Sequence, residues 1–92
     1  MRLALIAFTA RGGELARSLA EGLAAAGHSC ALSGGGRAAR ALGLPDCGSL
    51  SDWTARAFAQ ADGLIFVGAC GIAVRAIAPY VRDKFHDPAV VA

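Results

Sequence analysis

The sequence predicts an α/β domain: a small three-layer parallel sheet with helices on both faces. Leu3–Phe8 and Leu64–Val67 are continuous apolar runs bounded by turn residues, as in strands covered on both sides. Between them lies a segment with helical apolar spacing, and the whole chain reads as βαβ(α)βαβ.

The first strand spans Leu3 to Phe8. Glu14 to Ala26 follows as an amphipathic helix with Leu15, Leu19 and Leu23 on one stripe. Arg17 and Glu21 form an i,i+4 pair outside it. Gly27 is placed to end this helix in a left-handed cap. His28 to Leu32 is a short second strand, and Ser33 to Gly36 is a loop. Arg37 to Leu44 holds one or two helical turns, and Pro45 to Leu50 is irregular. Ser51 is the expected N-cap of the next helix, whose apolar face is Trp53, Ala57, Phe58 and Ala61. Asp62-Gly63 makes the turn into the third strand, Leu64 to Val67. Gly68 to Gly71 is a tight loop, and Ile72 to Ala78 is a helix stopped near Pro79. Arg82 to Asp87 connects to a fourth strand that opens at Ala89, and the chain is expected to continue beyond Ala92.

Right-handed crossovers give the expected strand order 2-1-3-4, a flavodoxin- or Rossmann-like arrangement. Ligands in such sheets bind at the carboxyl ends of the strands beside the reversal. The loops at Thr9–Gly13 and Gly68–Gly71 should meet there.

Composition narrows the function classes. Ninety-two residues fit one domain, so 1–92 is read as a single unit. The net charge is +2, and the basic residues are scattered along the chain. A nucleic-acid binder concentrates them on one face, so no nucleic-acid partner is expected. Cys30, Cys47 and Cys70 show neither C-x-x-C nor zinc spacing, which suits free thiols in a reducing cytoplasm and no protein metal site. Residues 63–81 are long enough to raise a membrane span, but Gly68, Gly71, Arg75 and Pro79 interrupt them. No membrane partner is expected.

Thr9, Gly12, Gly68, Gly71 and Arg75 are the candidate ligand-binding residues. Thr9–Gly13 opens a helix after a strand, where free N–H groups and a partial positive charge suit an anion. The alternative is a turn that only joins strand to helix. Ser33 to Arg37 reads either as an anion nest or as a flexible loop. Arg75 is the single charge between Asp62 and Arg82. It is either an anion-binding guanidinium or the partner of Asp83 or Asp87, because an unpaired buried charge is costly. Cys70 at a helix start has no identifiable base, and His28 and His86 fall in no triad pattern. Catalytic residues are left unassigned.

The segment Gly68-Ala69-Cys70-Gly71-Ile72-Ala73-Val74-Arg75-Ala76-Ile77-Ala78-Pro79 resembles the N-terminal domain of the CbiG family. Asp83-Lys84 and Asp87-Pro88-Ala89-Val90-Val91 extend that resemblance. It is specific over residues 64–91. Before them, Ile6-Ala7-Phe8-Thr9 with Gly12 matches only in its strand-to-helix pattern.

The resemblance implies a cytoplasmic role in anaerobic cobalamin biosynthesis. Members of the family act as cobalt-precorrin-5A hydrolases: they open a δ-lactone and release acetaldehyde. The substrate is a cobalt-containing tetrapyrrole edged with carboxylates, so cobalt arrives with the substrate and no separate cofactor is implied. The family pattern continues past the fourth strand with an acidic pair, a Ser-Gly-His-Gly-Gly segment and a C-terminal domain. The remaining domains of the same enzyme are therefore implied partners, and residues 1–92 alone are expected to be inactive. Two other readings stand beside this one: a flavodoxin-like module binding a phosphate-bearing cofactor at Thr9–Gly13, and a non-catalytic docking domain.

Overall fold

The computed structural model describes residues 1–68, 78–81 and 88–91. The expected helix over 72–78 and the connection over 82–87 fall essentially outside the described residues. Four strands, β1 (Arg2–Ala7), β2 (Ser29–Gly34), β3 (Gly63–Val67) and β4 (Ala89–Val91), form one sheet in the order β2-β1-β3-β4. Every pairing is parallel, with Leu3 opposite both Cys30 and Gly63, and Gly63 opposite Ala89. The expected strand order and the parallel sheet are thus observed.

Alternation along the central strands divides the core in two. Ala4, Ile6, Leu64 and Phe66 face α3 (Leu50–Gln60) and pack with Trp53 and Ala57. Ala7 and Val67 face the other way, toward Ala16 of α1 (Ala10–Ala25) and Ala38 of α2 (Arg37–Leu42). Helices therefore cover both faces, as a parallel sheet requires. The Trp53 and Phe66 rings meet edge to face, with centroids 5.7 Å apart and planes at 82°. That geometry suits the quadrupoles of two aromatic rings.

α1 departs from its sequence reading in two ways. It begins at Ala10, not Glu14, because Thr9 caps it: the Thr9 Oγ1 accepts the Gly12 N–H at 2.9 Å. It also does not bury its leucine stripe. Gly13 and Ala16 are buried, whereas Leu15 is 56% and Leu19 39% exposed. Small residues let the helix approach the sheet and α2 closely. A Cβ on Gly13 would lie only 2.4 Å from the Leu42 side chain. Arg17 does not depend on Glu21 for a contact, since its guanidinium donates to the Leu42 carbonyl at 2.8 Å and fastens α1 to the end of α2.

The C-terminus of α1 matches expectation. Gly27 has φ +97°, its N–H bonds to the Ala24 carbonyl, and the His28 N–H reaches back to Leu23. These two bonds are the Schellman pair. At α3 the cap is Ser49, not Ser51. The Ser49 hydroxyl accepts from the Asp52 N–H, and Ser51 lies in the first turn. An acidic residue at Asp52 further suits the positive end of the helix.

Asp62 ties the amino ends of the central strands together. Its carboxylate accepts the Arg2 N–H at 2.8 Å and its own N–H donates to the Arg2 carbonyl at 2.7 Å. No helix among the described residues is long and apolar enough to cross a membrane.

Candidate functional site

The strand order reverses between β1 and β3, and their carboxyl ends define one edge of the sheet. Thr9 follows β1 at this edge and caps α1 with extended backbone at φ −124°, ψ 160°. Gly68 follows β3 with φ +75°, a left-handed conformation that glycine adopts without strain. Gly12 bridges the two. A Cβ built on it would stand 3.0 Å from Thr9 Oγ1 and 3.4 Å from the Val67 carbonyl oxygen. The first turn of α1 thus sits directly on the end of β3, bringing Thr9, Gly12 and Gly68 together. Gly71 and Arg75, the other two candidates, lie outside the described residues.

Capping changes which donors the edge can offer. The Gly12 N–H is taken by the Thr9 hydroxyl, and the Gly13 N–H by the Thr9 carbonyl at 2.8 Å. Ala10 and Arg11 carry the first-turn N–H groups that the helix does not satisfy itself. Both residues are exposed. An anion at this edge would meet these two amides, the positive end of the α1 dipole and the Arg11 side chain nearby.

The glycine run begins inside β2, at Gly34, and two of its amides are already spent. The Gly34 N–H donates to the Pro45 carbonyl at 2.9 Å, and the Gly34 carbonyl accepts the Cys47 N–H at 2.9 Å. The Gly35 N–H is spent on the Ala7 carbonyl at 2.8 Å. Gly34 and Gly35 are buried, and their missing side chains make room for α2 and Phe8. A Cβ on Gly34 would fall 2.7 Å from the Ala39 backbone nitrogen, and one on Gly35 2.7 Å from the Phe8 ring. These glycines were legible as a cluster, but their packing role was not, since the partners come from distant segments.

Ionisable groups offer no catalytic pair among the described residues. His28 lies before β2, at the opposite end of the sheet from Thr9 and Gly68. The Cys47 thiol is pushed up by burial and, to a lesser degree, by the Asp46 carboxylate; Arg56 works in the other direction. It is a protonated, buried thiol at neutral pH, not an activated nucleophile. Among the described residues no three His, Cys, Asp or Glu side chains gather where they could hold a metal ion.

Two comparisons with known proteins find a match. Residues 52–92 match the profile of the family described as Cobalamin synthesis G N-terminal. A cobalt-precorrin-5A hydrolase of Salmonella typhimurium strain LT2 is 52% identical over 48 residues. That stretch covers 52% of this chain and 14% of the relative, so the chain corresponds to a small part of that protein. No solved structure matches the chain. The region in which the residues themselves resemble the CbiG pattern, 64–91, lies wholly inside the segment that this family profile matches.

Proposed function

We propose that this domain serves in cobalamin biosynthesis as the N-terminal part of a cytoplasmic cobalt-precorrin-5A hydrolase. In that reading the full enzyme opens the substrate's δ-lactone and releases acetaldehyde. The domain contributes to binding the anionic tetrapyrrole, and cobalt belongs to the substrate. The observation that carries the reading is the 52% identity to a hydrolase of that name. The joining of Thr9, Gly12 and Gly68 at the reversal of strand order supports a ligand edge there.

Lactone hydrolysis needs an activated water and a means of stabilising the developing oxyanion. The amides of Ala10 and Arg11 at the positive end of α1 are suited to hold a carboxylate of the substrate. No described residue of this edge is assigned as the general base. Gly71 and Arg75 complete the binding edge in this proposal, with the Arg75 guanidinium taking a ring carboxylate in a bidentate pair. A flavodoxin-like phosphate loop is less well served by this geometry, because Thr9 has already claimed the Gly12 N–H.

The test is made in the full-length enzyme. Arg75→Ala is expected to weaken binding of the cobalt corrinoid about 10- to 100-fold, the loss of one charge-assisted bond. Arg75→Lys should recover only part of it. Melting is recorded on the same samples. A folded Arg75→Ala variant that binds normally removes Arg75 from the site, and absence of acetaldehyde from an enzyme supplied with cobalt-precorrin-5A overturns the assigned reaction.

A further inference from the structure

The α3 face of the sheet is covered unevenly. Trp53 and Ala57 of α3 pack over β1 and β3, but Ser29 and Ala31 of the edge strand β2 remain exposed on that side. The step from helix to bare strand leaves an open groove of about 380 Å³. This lies at the small end of the range for ligand sites. Arg2 at the start of β1 and Arg56 of α3 both line it. Ser29 and Ser33 add hydroxyls, while Ala4, Ala31 and Ala57 give it an apolar surface.

Among the described residues the lining holds two guanidiniums, which stay charged at any physiological pH, and no acidic side chain. Two acids flank the lining residues in sequence: Asp62 turns its carboxylate to the Arg2 backbone N–H, and Asp52, four residues before Arg56, sits in the first turn of α3 and does not line the groove. A guanidinium presents a planar fork matched to a carboxylate. The apolar surface, in contrast, rewards its removal from water. A bare inorganic anion would use the arginines and waste that surface; a neutral apolar molecule would do the reverse.

We propose that this groove is a binding site for a small flat carboxylate, its acid group held by Arg2 and Arg56 and its apolar face laid on Ala31 and Ala57 beside Trp53. The groove is separate from the carboxyl edge formed by Thr9, Gly12 and Gly68, so the two assignments stand or fall independently.

Trp53 is the single tryptophan of the chain and lines the groove, so its fluorescence reports occupancy directly. The 92-residue chain is titrated with phthalate, with its neutral analogue phthalamide and with inorganic phosphate. Fluorescence and backbone amide NMR shifts are followed together. Phthalate should saturate with a Kd on the order of 0.1–1 mM, with shifts centred on Arg2, Ala31, Arg56 and Gln60. R2Q and R56Q should each weaken it about three- to tenfold, and R56K less, with melting unchanged. Equal binding of phthalamide would overturn the proposal. So would phosphate matching phthalate in affinity, shifts centred on Ala10–Gly12, or no saturation by about 10 mM.

Discussion

Gly12 and Val67 are in near contact: a Cβ on Gly12 would stand 3.4 Å from the Val67 carbonyl oxygen. This spacing holds the first turn of α1 against the end of β3. Gly12→Ala gains helix propensity of about 0.5–1 kcal/mol and loses a similar amount to crowding of Val67 and Thr9, so it should remain within about 1 kcal/mol of the parent. Gly12→Val has no room for its branch and should lose about 1–3 kcal/mol. Chemical denaturation of both variants checks the pair; a Val variant as stable as the parent would show that the contact is slack.

The cap at Thr9 can be tested separately. Thr9→Ala leaves the Gly12 N–H without its 2.9 Å partner and should cost about 1 kcal/mol. In a domain of this size that lowers the melting temperature by about 4–8 °C. Thr9→Ser keeps the acceptor and should melt near the parent. Equal losses in both variants would point to the methyl group and not the hydrogen bond.

Gly35 lies against the Phe8 ring, with its N–H on the Ala7 carbonyl. Gly35→Ala drives a methyl into that ring and should cost about 1–3 kcal/mol. The same substitution in a Phe8→Leu background should cost less, by a coupling of about 0.5–3 kcal/mol. Additive losses in this double-mutant cycle would mean that the strain lies elsewhere in the backbone.

The Cys47 thiol predicts an alkaline limb in stability. Its pKa is raised above the ordinary 9.0 in the folded protein, chiefly by burial. The folded state therefore holds the proton more tightly than the unfolded chain. Stability from this group is fully present below pH 9.0 and is lost as pH rises from there through the higher folded value. Cys47→Ala should flatten that decline between pH 9 and its end. Iodoacetamide with peptide mapping should modify the half-buried Cys30 before Cys47 in the native protein. Faster labelling of Cys47 would contradict its burial.

Much of the architecture was legible because parallel strands covered on both sides leave unbroken apolar runs. Leu3–Phe8 and Leu64–Val67 identified β1 and β3, and connection handedness then supplied the order. The Leu15, Leu19 and Leu23 stripe misled for a physical reason. Side-chain size is a poor guide where a helix approaches through Gly13 and Ala16, and the larger residues are then turned outward. The α3 cap was misplaced by two residues since Ser49 and Ser51 both offer a hydroxyl, and only backbone geometry selects between them. Of the candidate site, Thr9, Gly12 and Gly68 came from a topological rule and are brought together; Gly71 and Arg75 lie outside the described residues. The groove carried no sequence signal, as Arg2, Ser29 and Arg56 belong to three separate elements with no motif linking them.

The central place of β1 has a consequence for biosynthesis. β1 leaves the ribosome before both of its neighbours, which are encoded later, β2 from Ser29 and β3 from Gly63. At ordinary translation speeds the partner of Leu3 on β3 follows it by roughly 3–12 s. Until then this central strand has at least one unsatisfied edge. Nascent chains arrested between β2 and β3 should therefore be the ones that chaperones hold most tightly, and release should coincide with the emergence of Phe66 and Val67.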